Sequence, residues 1–168
     1  MGSGKSTVGP LLAAELGIEF IDLDSVLEAA SGRSIPSWFE TKGEPAFRSA
    51  ERAELARALD RLEAGGARAV IALGGGAFAE PETRALLADR ACTIWLDVPL
   101  AAIRSRIVAD GGRPLYRDPA NVARLFAARQ AAYAAADVRI ESDAATAVVV
   151  ERIVAELAAR FGPPGGGA

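Results

Sequence analysis

Met1-Gly2-Ser3-Gly4-Lys5-Ser6-Thr7 opens the chain. Gly4-Lys5-Ser6 match the end of the phosphate-binding pattern Gly-x-x-x-x-Gly-Lys-Ser/Thr, whose leading glycine would fall ahead of Met1. The chemistry needs these residue types. Glycines let successive backbone N–H groups turn inward on phosphate oxygens, where a side chain would clash. Lys5 carries a fixed positive charge to the β- and γ-phosphates, Ser6 offers a hydroxyl to Mg2+, and the helix that starts here adds its dipole. Taken alone, the stretch also reads as a small-residue tail, so its weight depends on the rest of the chain.

Beyond Thr7 the sequence alternates helix and strand. Apolar spacing predicts helices over 6–16, 25–30, 36–41, 44–62, 81–88, 99–107, 121–135 and 144–161. Strands are predicted over 19–22, 69–73, 93–98 and 138–140. Gly17, Gly32, Gly43 and Gly65-Gly66 punctuate the helix ends. This βα alternation predicts a three-layer α/β fold, a parallel sheet with helices on both faces. A single domain over 1–161 is expected, with a mobile lid at about 108–119 around Gly111-Gly112-Arg113-Pro114, and a disordered tail over 162–168.

One element is missing from that pattern. A phosphate loop follows a buried strand, and here none precedes it. The expectation is that Met1 is an internal methionine and the first strand lies upstream; the alternative is a sheet that lacks a central strand. Removing such a strand would expose two strand edges and the core faces of the flanking helices.

Composition narrows the chemistry. The 168 residues are 51% hydrophobic and 24% charged with a net charge of −3, values of a globular domain without the basic surplus of a nucleic-acid binder. No apolar run reaches the ~18 residues of a membrane span, and a phosphate loop stands where a secretory signal would be, so a cytoplasmic location is expected. The chain has no histidine, which removes Ser-His-Asp triads and histidine-ligated metals. Its single cysteine, Cys92, reads as a buried strand residue rather than a reactive thiol. Lysine occurs only at positions 5 and 42 in a chain otherwise rich in arginine, so a lysine in the phosphate loop is informative.

Four further clusters carry chemistry. Asp22-x-Asp24 ends the first visible strand, on the side where open α/β sheets bind ligands; its competing role is a helix cap at Asp24. Arg48 and Glu51 fall on one helical face within Gly43-Glu44-x-x-Phe47-Arg48-x-x-Glu51, or form a plain surface ion pair. Gly74-Gly75-Gly76 after a strand admits a ligand close to the backbone, or is a simple turn. Arg113-Pro114-Leu115 sits in the predicted lid, and Arg129 lies on the helix beyond, with Tyr133 after it.

In their order and spacing, these motifs together with Gly32-Arg33-Ser34-Ile35 resemble the shikimate kinase family, from Gly2 to about Glu156. The resemblance implies ATP-dependent phosphorylation of the 3-hydroxyl of shikimate with Mg2+, by a monomer with no nucleic-acid or membrane partner. It implies that Gly2, Ser3, Gly4, Lys5, Ser6 and Thr7 hold the ATP phosphates, with Ser6 on Mg2+ and Asp22 reaching the metal through water. Asp24 would accept from ring hydroxyls and take the proton of the attacking one. Arg48 and Arg129 would hold the substrate carboxylate, with backbone donors from Gly74, Gly75 and Gly76. Arg113 would be the lid arginine over the phosphates and Arg106 the residue stacked on adenine; Ile35, Phe39, Phe47 and Glu51 would frame the pocket. The stretch 142–146 lacks the basic residue that the family often places near adenine. The alternatives are another small P-loop kinase, of gluconate or nucleoside monophosphate type, and an inactive truncated product.

Overall fold

Glycines at left-handed geometry and side-chain caps divide the chain where the sequence pattern places its breaks. The computed structural model describes residues 2–103 and 119–162. Along it run α1 (Lys5–Leu16), β1 (Glu19–Asp22), α2 (Leu23–Ser31), α3 (Ile35–Ala64), β2 (Ala69–Ala72), a 3-10 turn (Ala77–Ala79), α4 (Pro81–Leu87), β3 (Ile94–Asp97), α5 (Pro119–Tyr133), β4 (Val138–Glu141) and α6 (Thr146–Phe161). Gly17 ends α1 at φ 64°, its amide bonded to the carbonyls of Ala13 and Ala14. Asp22, not Asp24, caps α2, its side chain accepting from the Ser25 amide. The helices expected over 36–41 and 44–62 are the two arms of α3, parted at Gly43, where φ 77° and ψ 168° interrupt the helical backbone ahead of Pro45.

β1 pairs with β2 in parallel, Glu19 opposite Ala69 through Asp22 opposite Ala72. β3 pairs with β4 in parallel, Ile94 opposite Val138 through Asp97 opposite Glu141. As the sequence predicts, the strands pair in parallel; among the described residues they form two pairs. β2 and β3 flank an apolar cavity of ≈640 Å³, and no described strand bonds to the edges that face it.

Helices cover both faces, as the alternation predicts. On one side Val8 and Leu12 of α1 pack with Val149, Val150 and Ile153 of α6 against Val138 and Ile140. On the other, Leu55 and Leu59 of α3 pack with Leu23 and Leu87, and Ala58 and Leu62 pack with Ile21. β2 shows the two-residue period: Val70 faces the α1 layer, while Ala69 and Ile71 face α3. Leu23 and Leu55 are fully buried, each contributing about 1.5–3 kcal/mol of transfer free energy.

All four strands deliver their C-terminal ends to the start of α1. Asp22 of β1 lies by Ser6. Gly74, after β2, abuts Asp24, and Ile103, beyond β3, packs on Gly2. Ser142, after β4, lines a small cavity with Ser3, Gly4 and Thr7. Cys92 departs from expectation: it sits just ahead of β3, half-buried, and burial together with the Asp137 carboxylate pushes its thiol pKa up, so it stays protonated. Arg106, Arg113, the lid apart from Pro119, and the tail beyond Gly162 lie outside the described residues.

Candidate active site

The phosphate loop is built from its glycines. Gly2 stands at φ 61° and Gly4 at φ 86°, a left-handed N-cap from which the amides of Thr7 and Val8 bond back to the Gly4 carbonyl. Lys5 donates from Nζ to the Ser3 hydroxyl at 3.2 Å, folding the cation back over the loop. The first turn of α1 carries no acidic side chain, so the positive end of the dipole stays available to an anion. Ser6 Oγ lies 3.4 Å from Asp22 Oδ2. A hydroxyl beside a carboxylate is a hard oxygen pair of the kind Mg2+ takes while keeping most of its waters. A cavity of ≈260 Å³ adjoins the loop, lined by Ser3, Gly4, Thr7, Val8, Ser142, Ala144, Thr146 and Val149.

A second set of charged residues gathers beyond the end of β2. α3 presents Arg48 and Glu51 one turn apart, with Arg48 Nη1 donating to Glu51 Oε2 at 2.6 Å and Nη2 to Glu44 Oε1 at 3.2 Å. Glu51 is only 2% exposed. Burial opposes the charge on Arg48, but the Glu51 and Glu44 carboxylates outweigh it and hold the guanidinium pKa above its ordinary value. Its other face lies 5.0 Å from the centre of the Phe47 ring. Arg48 Nε is buried with no hydrogen-bond partner among the described residues.

Glycines 74 and 76 are what let these groups meet. A Cβ on Gly74 would overlap Glu51 Oε1 and stand 3.0 Å from Asp24 Oδ1. A Cβ on Gly76 would overlap the Arg48 guanidinium and stand 3.1 Å from Arg129 Nη2. Two guanidiniums from α3 and α5 therefore converge on one backbone position, with the Asp24 carboxylate beside the adjoining turn. Convergent planar forks suit a planar carboxylate, and a nearby carboxylate suits a hydroxyl donor. The pocket thus fits a small hydroxy acid, although the whole chain is net negative.

Most of the residues singled out in the sequence gather in these two places. Gly2 to Thr7 with Asp22 form the first, and Asp24, Arg48, Gly74, Gly76 and Arg129 form the second. Gly75 enters differently, through its carbonyl, which accepts from the Tyr133 hydroxyl at 2.7 Å. Arg106 and Arg113 are not among the described residues. Sequence reasoning did not assign a task to Tyr133, although its position four residues after Arg129 puts both on one helical face. It also did not foresee that Ser142 and Thr146 line a cavity with the phosphate loop, because contact between segments so far apart leaves no local pattern.

Comparison with known proteins agrees over nearly the full length. The model of the family described as "Shikimate kinase" matches residues 1–158. The shikimate kinase of Caulobacter vibrioides is 45% identical over 161 residues, covering 94% of this chain and 78% of that protein. That of Rhodopseudomonas palustris is 44% identical over 161 residues, covering 94% and 77%. Among solved structures, shikimate kinase from Acinetobacter baumannii in complex with shikimate superposes with a TM-score of 0.84 at 30% identity, covering 96% of this chain and 90% of that one. The Aquifex aeolicus enzyme gives 0.80 at 33% identity, covering 95% and 92%.

Proposed function

The chain belongs to the shikimate kinase family, and from that membership we propose how its residues divide the work of phosphorylating shikimate with ATP. The chain is a kinase that transfers a phosphoryl group from ATP to the 3-hydroxyl of shikimate. Arg48 and Arg129 hold the substrate carboxylate; the observation that carries this assignment is their convergence on Gly76. Asp24, at the next turn, accepts from a ring hydroxyl and takes its proton as the oxygen attacks. With the carboxylate anchored at one end, that hydroxyl faces the phosphate loop, which meets the orientation demand of in-line transfer.

Gly2 to Thr7 cradle the phosphates through backbone N–H groups and the start of α1, and Lys5 neutralises charge on the transferring group. Ser6 and Asp22 fit Mg2+, the donor pair being two oxygens 3.4 Å apart. Held by Ser6 and Asp22, the ion would supply positive charge that offsets the negative charge of the phosphates. Arg106 stacking on adenine and Arg113 closing over the phosphates remain part of the proposal on sequence grounds, as does a monomer working in the cytoplasm. Among the described residues, no helix is long and apolar enough to cross a membrane.

A substrate panel tests the assignment of the pocket. Shikimate should be phosphorylated in preference to gluconate or a nucleoside monophosphate, and Arg48→Ala should raise the shikimate KM while the ATP KM stays near its original value. Equal losses for both substrates would take Arg48 out of the acid pocket.

A further inference from the structure

From Gly74 to Glu80 every backbone carbonyl has a donor. Gly74, Gly76 and Ala77 accept from the amides of Ala77, Ala79 and Glu80, each at 3.1 Å, and Glu80 accepts from those of Thr83 and Arg84 at 3.2 Å. Side chains supply the rest. Gly75 accepts from the Tyr133 hydroxyl at 2.7 Å, while Arg84 Nη1 donates to Phe78 at 2.9 Å and to Ala79 at 2.8 Å. Arg84 stands half-buried on α4, and its described side-chain bonds go to these two carbonyls, with no carboxylate among them. The amides of Gly74, Gly75 and Gly76 donate to no described residue. A turn whose acceptors are used and whose glycine donors are open offers a cradle for negative charge.

We propose that Arg84 is a positioning residue for substrate recognition, setting the direction of the Gly75 amide; this rests on the acid-pocket reading given above. The relay runs through peptide planes, each of which holds its C=O and N–H on opposite sides in the trans form. Arg84 fixes the Phe78 carbonyl, and with it the Ala79 amide of the same peptide, which bonds to the Gly76 carbonyl. That orients the Ala77 amide, which bonds in turn to the Gly74 carbonyl. The Gly74 carbonyl shares its plane with the Gly75 amide. The Gly75 N–H is therefore directed from Arg84, as the Gly76 N–H is from Tyr133. The second Arg84 bond, to Ala79, fixes the Glu80 amide on the Ala77 carbonyl in the same way. Glycines have no side chain to oppose rotation of these planes, so a turn of three needs both anchors. Arg84 acts through the turn, on amides beside the Arg48 and Arg129 guanidiniums.

The test uses Arg84→Met, which keeps the stem and removes the donor, and Arg84→Lys, which restores a charged donor. Kinetics are read with each substrate varied in turn, beside the melting temperature and amide-resolved NMR spectra of the ligand-free chain. Arg84→Met should raise the shikimate KM about tenfold, with kcat and the ATP KM within about twofold of the parent values. Arg84→Lys should recover most of that loss. In the spectra, Arg84→Met should shift the Gly75 amide more than the Gly76 amide, and Tyr133→Phe should do the reverse. A lower melting temperature with the shikimate KM unchanged assigns Arg84 to the fold and overturns the proposal. So do equal rises in both KM values, no recovery with lysine, or an unmoved Gly75 amide. If Arg84→Met does not fold, Arg84→Gln is read in its place, and failure of both to fold also overturns the proposal. The spectra are recorded without substrate, so an unmoved Gly75 amide is a failure of the relay alone. A parent chain that does not phosphorylate shikimate is instead a failure of the pocket reading.

Discussion

The Tyr133 hydroxyl donates to the Gly75 carbonyl at 2.7 Å, tying the last turn of α5 to the glycine turn after β2. Arg129 lies one turn earlier on the same helix, and its guanidinium reaches the position of Gly76. In a planar trans peptide the Gly76 N–H points away from the carbonyl that Tyr133 holds. One bond thus fixes both the peptide plane and the distance from helix to turn. Phe78 and Trp95, with ring centres 6.4 and 6.1 Å from that of Tyr133, keep its ring in place.

Tyr133→Phe removes the bond and keeps the ring. A single hydrogen bond contributes about 0.5–1.5 kcal/mol, so the shikimate KM should rise roughly 2- to 10-fold with little change in the ATP KM or melting temperature. Steady-state kinetics with each substrate varied separates the two. A matched rise in both constants would show that Tyr133 supports the fold rather than the pocket.

Gly76→Ala is the sharper probe of the acid pocket. Its Cβ would overlap the Arg48 guanidinium near Arg129, so the arginines must move apart for the methyl group to fit. Shikimate affinity should fall at least tenfold while far-ultraviolet circular dichroism stays unchanged. Calorimetric titration with shikimate, then with ATP, reads the loss at one site against the other.

Arg48 and Glu51 make a pair whose halves should not be equivalent. Arg48→Ala removes the charge proposed to meet the substrate carboxylate and takes from the buried Glu51 carboxylate its 2.6 Å ion-pair partner. Breaking one side of such a pair costs about 2–5 kcal/mol. Glu51→Gln keeps the shape and a hydrogen-bonding oxygen, so it should weaken shikimate binding less than Arg48→Ala. The same titration ranks the two, and the reverse order would place Glu51, rather than Arg48, at the centre of recognition.

At the opposite end of the strands, Asp137 makes one contribution to acid stability. Its carboxylate accepts from the Thr93 hydroxyl at 2.6 Å and from the Thr93 amide at 2.7 Å, holding the entry to β3 beside the entry to β4. The Thr93 side-chain bond first, then the backbone bond, lower its pKa below the ordinary carboxylate value. A carboxylate depressed in the folded state stabilises it above its unfolded pKa of about 3.9, and that contribution disappears as pH falls through the folded value. Asp137→Asn should therefore melt below the parent protein at pH 6, with the gap closing below about pH 4. A constant gap across that range would separate the effect from ionisation.

Much of this was legible because it is local. The phosphate loop, the break at Gly43 and the stops at Gly17 and Gly32 depend on residues within a turn of one another. Arg48 and Glu51 could be paired from their spacing alone. What escaped is non-local. That Asp22 rather than Asp24 takes the cap turns on where β1 ends, which depends on its pairing with β2. The Tyr133–Gly75 bond joins positions 58 residues apart, and no periodicity announces it. The cavity between β2 and β3 is non-local as well, because the packed helices define its walls.

Asp24 sits where its two possible tasks can be told apart. It lies in the first turn of α2, but the cap of that helix is Asp22, so Asp24 is not needed to satisfy the Ser25 amide. Its Oδ1 is buried and faces Gly74, one turn residue away from Gly75 and two from the converging arginines' contact at Gly76. A carboxylate that merely stabilised the helix through its dipole would contribute about 0.3–1 kcal/mol and act on melting temperature. A carboxylate that receives the proton of the attacking hydroxyl would act on the chemical step. Asp24→Asn keeps size and hydrogen bonding while removing the basic oxygen, so kcat should fall by about 100-fold or more, in the range general-base catalysis supplies. The shikimate dissociation constant should change by much less, because the proposed carboxylate anchors, Arg48 and Arg129, are left in place. Single-turnover kinetics beside calorimetric titration measures the two quantities separately. A lower melting temperature with kcat intact would assign Asp24 to the helix, and the proton would need another acceptor.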